Sequence, residues 1–379
     1  MANLTDLPTE LLLSLPRYLH NIEDFTSLSS TNRKLHSLLP STSPNTILHL
    51  CAAQSTTFFR PSPHFLLAAL APQLGSWSRL SPANEALLAK TCQSGIEALL
   101  PLCLSHCGLT LPRIRELHAL RFSTINPITN IIDQCVGAQW SSTVDFWDGG
   151  VDDAYTICAD AGETFFHLAI YGGLFGGDFE AFLNPEAKEG RRLSVETRLE
   201  FIKYCMPDFA MELGGRIHAR EVRSEGGTMD PRRDVKPVGP YEKLPGARVA
   251  DLKWNSALGM TWVLKSSTWT PYWKKLREKA GGEFDPAGEE EEWHAEIGER
   301  DWRQRIWENV MLCQGMDGLQ MMVPEHGDKW VDMVKLWREQ VAGVQAEPGK
   351  VKVGVWETYE YPWLFGDLTI CTSGYVMGT

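Results

Sequence analysis

The chain has 379 residues, of which 43% are hydrophobic and 22% charged, values of an ordinary globular protein that exclude a disordered chain. Its formal net charge is −12, and the imbalance lies in the C-terminal part. The first 150 residues hold 9 Lys and Arg against 10 Asp and Glu, and the remainder holds 27 against 38. An acidic body of this kind argues against nucleic acid as a partner.

Cysteine usage and hydropathy indicate the compartment. The nine cysteines are scattered without a paired framework, as is typical of a reducing environment. No apolar run approaches the roughly 20 residues that a membrane span requires. Asp6 and Glu10 interrupt the N-terminal leucines, so we expect no signal peptide. The sequence therefore predicts a cytoplasmic or nuclear protein that has no membrane partner.

The first 40 residues predict three short helices. Asp6 and Pro8 are typical of a cap and a first helical turn, and the leucines that follow recur at spacings of three and four. A second helix is predicted after Asn21, with Asp24 placed as in a capping box, and a third from about Asn32 to Leu39. A unit of about 40 residues cannot bury so many leucines internally. Part of the stripe must therefore pack on the rest of the chain or on another protein.

The same stretch, about residues 4–39, resembles the F-box. The matching pattern is Leu7-Pro8-x-Glu10-Leu11-Leu12, Leu15, Tyr18-Leu19, Asp24-Phe25, Leu28, Arg33-Lys34-Leu35 and Leu38. Two positions depart from the family's pattern. Thr31 stands where the family often has cysteine, and Leu35 where it often has tryptophan. The resemblance covers about a tenth of the chain.

The resemblance implies a non-catalytic substrate receptor of a Skp–cullin–F-box (SCF) ubiquitin ligase. Such a protein binds a Skp-type adaptor and, through it, a cullin, and it requires no cofactor. Its remaining part would hold a target protein, which the sequence leaves unknown. The side chains expected in the adaptor groove are Leu7, Pro8, Leu11, Leu12, Leu15, Leu19, Leu28 and Leu35.

Behind this F-box unit (residues 1–40) we expect a mainly α protein. Residues 41–140 are predicted as a helical connector, with one helix starting at Ser81-Pro82. Further helices are predicted from Pro112 to Phe122 and from Asn126 to near Gly137. Residues 141–223 are predicted as a central helical region. Its apolar helix, from Thr164 to Leu174, is expected to end at Gly172-Gly173 and Gly176-Gly177.

The last 156 residues divide into a break and a tryptophan-rich region. Residues 224–247 contain four prolines and four glycines and predict a flexible loop, either between two domains or inserted within one. Residues 248–379 hold eleven of the fourteen tryptophans and are expected to form an α or α+β region packed with residues 141–223. Helices are predicted from Thr270 to Lys279, ended by Gly281-Gly282, from Glu289 to Cys313 and from Asp328 to Val341, with one or two strands near the C-terminus.

Two groups of residues are candidates for chemistry. Cys103, His106 and Cys107 are zinc-ligand types, but the cysteines lie four apart on an apolar helix face without a second pair, so we expect no metal site. Glu163 and His167 also lie four apart, near Asp152, Asp153 and Asp160. That set suits metal binding or acid–base catalysis. A simple i, i+4 pair on a capped helix is the interpretation that we prefer.

The tryptophan-rich region has two interpretations. Trp293, Trp302 and Trp307 beside Arg300, Arg303 and Arg305 predict either a recognition face or anchors of the core, and we favour the core for any single tryptophan. For the whole protein, two alternatives to the ligase receptor remain open. One is an adaptor-bound scaffold acting outside the ligase, and the other is an enzyme with a site around residues 145–177.

Overall fold

The computed structural model describes residues 4–136, 161–184, 190–205, 270–284, 301–353 and 356–362. Over these residues the protein is mainly helical, as predicted, and its strands form a two-stranded sheet. None of the helices in these ranges combines the length and the apolar character needed to span a bilayer.

Ten helices precede residue 137. They are α1 (Thr9–Ser14), α2 (Ile22–Thr31), α3 (Arg33–Leu38), α4 (Pro44–Ala52), α5 (Ser55–Phe58), α6 (His64–Arg79), α7 (Pro82–Cys92), α8 (Leu99–His106), α9 (Leu111–Leu120) and α10 (Asn126–Val136). Short 3₁₀ turns cover Leu4–Asp6, Leu15–Tyr18, Leu39–Ser41 and Ile96–Ala98.

The later described ranges add seven helices and the sheet. The helices are α11 (Ala161–Phe175), α12 (Asp178–Leu183), α13 (Val195–Cys205), α14 (Thr270–Lys279), α15 (Trp302–Leu312), α16 (Met316–Met321) and α17 (Val331–Ala342). A 3₁₀ turn, Pro324–Lys329, precedes α17. Strands β1 (Lys350–Val353) and β2 (Trp356–Tyr359) pair antiparallel, with Lys350 opposite Tyr359.

Side-chain caps begin several helices where the sequence predicts them. Asn21 accepts a hydrogen bond from the backbone N–H of Asp24 at 2.8 Å, and Ser81 accepts one from Asn84 at 3.1 Å. Helix α14 covers its predicted range and ends at Gly281-Gly282, whose φ angles of +117° and +81° favour glycine. These boundaries follow from chemistry within one turn of the chain.

Two predicted helix boundaries are wrong. Each was predicted from an acidic residue or a proline taken as the start of a helix. Asp6 does not cap α1. It ends a 3₁₀ turn, and Pro8 occupies the N-cap position without a side-chain hydrogen bond. The two helices predicted on either side of Asn126 are joined by a π turn, Arg121–Ile125, and run on without a break. Because Pro127 has no N–H, it removes one helical hydrogen bond at this junction.

Asp301 sets a third boundary that differs from the prediction. Its side chain accepts the N–H of Arg303 at 2.6 Å and caps α15. The helix predicted from Glu289 to Cys313 is therefore not continuous through residue 301, and its earlier part lies outside the described residues. The loop predicted at 224–247 lies outside them as well.

Helix α11 crosses α6 at the centre of the described core, and glycines allow the close approach. The expectation that Gly172-Gly173 end the helix is wrong, because α11 continues to Phe175. A Cβ on Gly173 would lie 2.7 Å from the Cβ of Ala71 in α6, and one on Gly172 would lie 2.7 Å from the carbonyl carbon of Cys313. Since real Cβ contacts are not this short, these glycines are packing positions inside the helix.

The apolar core is one cluster that runs from the N-terminal unit to the tryptophan-rich region. The rings of Phe65 in α6 and Phe166 in α11 lie 5.3 Å apart. Trp307 in α15 is fully buried, and its indole N–H donates to the carbonyl of Val334 in α17 at 3.1 Å. The segments predicted as connector, central region and C-terminal region therefore contribute to a shared interior.

Glu85 joins α7 to the start of α13. Its carboxylate accepts the backbone N–H of Ser194 at 2.6 Å and the hydroxyl of Thr197 at 3.0 Å, and it pairs with Arg191. Burial raises the pKa of Glu85, but the hydrogen bonds from Ser194 and Thr197 and the charge of Arg191 outweigh burial and hold that pKa below its ordinary value of 4.5. The carboxylate is thus required in its ionised form.

We expect Glu85→Gln to lower the free energy of unfolding by about 1.5–3 kcal/mol at neutral pH, the usual contribution of hydrogen bonds to a charged group. A lowered pKa gives stability that is complete above the unfolded-state pKa and is lost as pH falls through the folded-state pKa. The advantage of the wild type should therefore begin to decrease below about pH 4.5 and be lost as the pH falls through the lower folded-state pKa. Urea unfolding at several pH values measures both effects. Glu116→Gln, which alters an exposed i, i+3 pair with Arg113, is the matched control and should change little; equal losses in the two variants would contradict this role of Glu85.

The glycine contacts of α11 give a second prediction. A Cβ on Gly176 would meet the carbonyl oxygen of Cys313 at less than any normal contact distance, whereas one on Gly177 would lie 3.7 Å from the Arg79 side chain. We expect Gly176→Ala to destabilise the protein by about 2 kcal/mol or more through overpacking, and Gly177→Ala to be nearly neutral. Thermal unfolding followed by circular dichroism compares them, and a tolerated Gly176→Ala would refute the close approach.

Candidate functional site

The interior of the N-terminal unit is formed by large apolar side chains from each of its helices. Leu12 of α1, Phe25 of α2 and Leu35 of α3 are buried to within 1% of complete. They belong to the same cluster as the residues of α4, on which the unit rests. Part of the leucine stripe is therefore buried against the rest of the chain, which is one of the two alternatives that the sequence left open for it.

The other part of the stripe lies at the surface. Leu4, Leu11 and Tyr18 are 44%, 52% and 78% exposed, and Pro8 is exposed too. Beside them Leu7, Leu15, Leu19 and Leu28 are partly buried against the core. We call this set of eight residues the N-terminal apolar surface. Several exposed large apolar side chains within one short stretch of the chain make that stretch a candidate binding surface.

Lys34 fixes the segment that leads into α1. Its ammonium group donates to the carbonyl oxygen of Thr5 at 2.7 Å and to that of Leu7 at 3.3 Å. Because Leu7 directly precedes Pro8 and Thr5 lies two residues before Leu7, the contact from α3 sets the position of Leu7 and Pro8 relative to the rest of the unit. The N-terminal apolar surface is thus supported by a polar contact as well as by its buried leucines.

The eight predicted adaptor-binding residues divide into two groups in the structure. Six of them, Leu7, Pro8, Leu11, Leu15, Leu19 and Leu28, keep an exposed or partly exposed side chain. Leu12 and Leu35 are inside the unit. Leu4 and Tyr18 were absent from the predicted set although both are among the most exposed large apolar residues of the described chain. Spacing alone does not identify them, because Leu4 and Tyr18 lie in 3₁₀ turns outside α1.

The candidate acid–base pair of α11 has a different arrangement from the predicted one. The carboxylate of Glu163 approaches His64, with 4.0 Å between Oε1 and Nδ1. His167 is buried, its ring lies 5.0 Å from that of His64 in an edge-on contact, and its nitrogens have no hydrogen-bond partner within the described residues. Burial and the neighbouring His64 hold the pKa of His167 well below its usual range. Asp152, Asp153 and Asp160 lie outside the described residues, as do residues 145–160 of the enzymatic site considered around 145–177.

The cysteine and tryptophan candidates are parts of the core. Cys103 and Cys107 are buried, and the hydrogen bond that the Cys103 thiol donates to Cys107, together with burial, raises the pKa of the Cys103 thiol. His106 stacks on Trp77 at 4.0 Å. Within the described ranges no three His, Cys, Asp or Glu side chains are grouped to hold a metal ion. Trp307 is a core anchor, as favoured, and Trp302 carries the guanidinium of Arg303 over its ring at 4.1 Å; Trp293 and Arg300 lie outside the described residues.

The N-terminal apolar surface is therefore the best-defined candidate site, built on a buried interior and suited to contact rather than to catalysis. Comparisons with models of protein families, with curated proteins and with solved structures found no match for this chain.

Adjacent leucines of α1 separate the two roles of the stripe. We expect Leu12→Ala to lower the free energy of unfolding by about 2–5 kcal/mol, because it leaves a cavity in the interior. Leu11→Ala, in the same helix and with the same change of side chain, should alter it by about 0.5 kcal/mol or less. Urea denaturation followed by circular dichroism measures both. Similar losses in the two variants would contradict the division between buried and exposed leucines.

Proposed function

We propose that the protein is the substrate-recognition subunit of an SCF ubiquitin ligase, and that its N-terminal apolar surface binds a Skp-type adaptor. One observation carries the proposal. Leu4, Leu11 and Tyr18 remain exposed within the stretch whose sequence resembles the F-box. The resemblance supplies the kind of partner, and the exposed face supplies a place for that partner to bind.

The energetics of apolar surface favour this use. Burying apolar area gains about 25 cal/mol per Å², so a partner that covers three large side chains and their neighbours gains several kcal/mol from contact alone. Charged residues Asp6, Glu10 and Arg17 alternate with these side chains in the sequence and are exposed. An apolar centre with a charged rim is the usual composition of a specific protein interface.

The roles of the predicted adaptor-binding residues can be divided accordingly. In this proposal Leu7, Pro8, Leu11, Leu15, Leu19 and Leu28 contact the adaptor, together with Leu4 and Tyr18. Leu12 and Leu35 act indirectly, since they are buried and hold α1 and α3 in place. Their replacement would weaken adaptor binding through loss of the folded unit rather than through loss of contact.

The proposed activity requires no catalytic residue in this chain. The adaptor and cullin would hold one end of the receptor, and the remainder would hold a target protein. A lysine of the target is then kept near the ligase-bound ubiquitin donor, and the reaction is accelerated by proximity. The proposed compartment is the cytoplasm or the nucleus, where such ligases act.

The first test replaces Leu7 and Pro8 together by alanine. We expect adaptor affinity to fall at least thirtyfold, equivalent to about 2 kcal/mol, as for the central residues of other interfaces. Binding to a purified Skp-type adaptor, measured by biolayer interferometry, gives the affinity, and circular dichroism checks the fold. Leu80→Ala is the control, because Leu80 is an apolar residue 77% exposed at the end of α6. Unchanged adaptor binding in the double variant would remove the F-box assignment.

Co-purification from cells distinguishes the ligase receptor from the scaffold. Recovery of both adaptor and cullin with the full chain supports a ligase subunit. Adaptor without cullin would favour a scaffold acting outside the ligase, and the recovery of neither would refute the proposal. Proteins recovered by the full chain with and without its first 40 residues would identify candidate targets, since the target is expected to bind the remaining part.

A further inference from the structure

A surface cleft lies between two connections of the helical body. One wall is α5 with the segment that leads to α6, and the other is the π turn Arg121–Ile125 with the start of α10. The cleft has a volume of about 470 Å³, which is within the range of small-molecule sites. Its polar side chains include Arg60, Arg121 and Thr129, and its apolar ones are Pro61 and Ile125.

The charge of the cleft is of one sign. Arg60 and Arg121 are its charged lining residues, and within the described chain no carboxylate lines it. Neither arginine forms an ion pair with any described residue. Elsewhere in this acidic protein Arg79 pairs with Asp178 and Arg277 with Glu283, whereas Arg303 and Arg338 donate to backbone carbonyls as the cleft arginines do. The cleft therefore presents two guanidinium groups that no described carboxylate pairs with.

Both guanidinium groups are anchored to the same short helix. The Nε of Arg60 donates to the carbonyl of Thr56 at 2.5 Å, and the Nη1 of Arg121 donates to the carbonyl of Phe58 at 3.2 Å. Thr56 and Phe58 both belong to α5. Each arginine has five N–H donors, so one N–H fixes each group while the remaining donors stay available at the cleft. Arg121 is also the first residue of a π turn, a feature frequent at functional sites.

We propose that this cleft binds a small phosphate monoester. A phosphate group carries close to two negative charges at neutral pH, and the planar guanidinium donates two parallel hydrogen bonds to such an oxyanion. The hydroxyl of Thr129 supplies a further donor, while Pro61 and Ile125 contact the carbon part of the ester. The site belongs to α5, the segment that leads to α6, the π turn and α10, and it does not depend on the adaptor-binding role of the N-terminal unit.

The test is isothermal titration of the full chain with glycerol 3-phosphate, with inorganic phosphate and with sodium chloride at matched ionic strength. We expect the ester to bind more tightly than inorganic phosphate, because only the ester reaches the apolar wall. Equal or weaker binding of the ester would overturn the assignment to a monoester. Binding no stronger than that of chloride would overturn the site itself.

Charge-removing variants locate the ligand. Arg60→Gln and Arg121→Gln should each weaken ester binding at least tenfold, since hydrogen bonds to a charged group contribute about 1.5–3 kcal/mol. Arg115→Gln is the matched control, as it removes an exposed charge from α9 outside the cleft, and it should retain affinity within about twofold. The same loss in Arg115→Gln would show a general charge effect and refute the site.

Folding of the variants is checked by thermal unfolding. Arg121→Gln removes a contact between α5 and the π turn, so it is the variant whose fold is more strongly affected. Arg60→Gln alters only a local hydrogen bond four residues back, and Thr129→Val removes a lining hydroxyl without changing charge. Wild-type affinity in both of these folded variants would overturn the proposal even if Arg121→Gln did not fold.

Discussion

The contact of α11 with α6 and with the segment after α15 is the constraint on which the rest of the described structure depends. Gly172 and Gly173 in α11, and Gly176 just after its end, bring this backbone within contact of Ala71 on one side and Cys313 on the other. Helices usually pack 8–10 Å apart, at a distance set by the side chains between them. Glycine at these positions allows a closer approach, and it brings segments more than 240 residues apart in the sequence into one core.

That contact shows what the sequence could and could not predict. The mainly helical fold and many helix boundaries could be predicted, because caps such as Asn21 and Ser81 act within a single turn of the chain. Two adjacent glycines in a sequence can mark either the end of a helix or a close contact between two elements. Gly281-Gly282 is the first kind and Gly172-Gly173 the second. Only the neighbour across the helix distinguishes them, and that neighbour, near Cys313, is remote in the sequence.

The same limit applies to the candidate site. The leucine stripe of the first 40 residues could be predicted from spacing, together with the division of such a stripe between the chain and a possible partner. Spacing could not predict which leucines are buried in the chain and which are exposed. Leu11 and Leu12 are adjacent in one short helix, yet Leu11 is 52% exposed and Leu12 is fully buried. Leu4 and Tyr18 lie in 3₁₀ turns that flank α1. The periodicity of an α-helix does not apply to these turns, so it does not predict that the two side chains are exposed.

Some arginines of this protein pair with carboxylates that join elements of the fold, and others are held by backbone carbonyls. Glu85 with Arg191, Asp178 with Arg79, and Glu308 with Arg277 each join two elements of the fold. A buried charge without a partner is costly, so an arginine that remains uncompensated must stay near solvent or receive a ligand. Arg60 is exposed and Arg121 is half-buried, and both are held by carbonyl oxygens of α5 instead of by carboxylates. A carbonyl fixes the direction of a guanidinium but leaves its charge unneutralised, and an anion that enters the cleft can neutralise it.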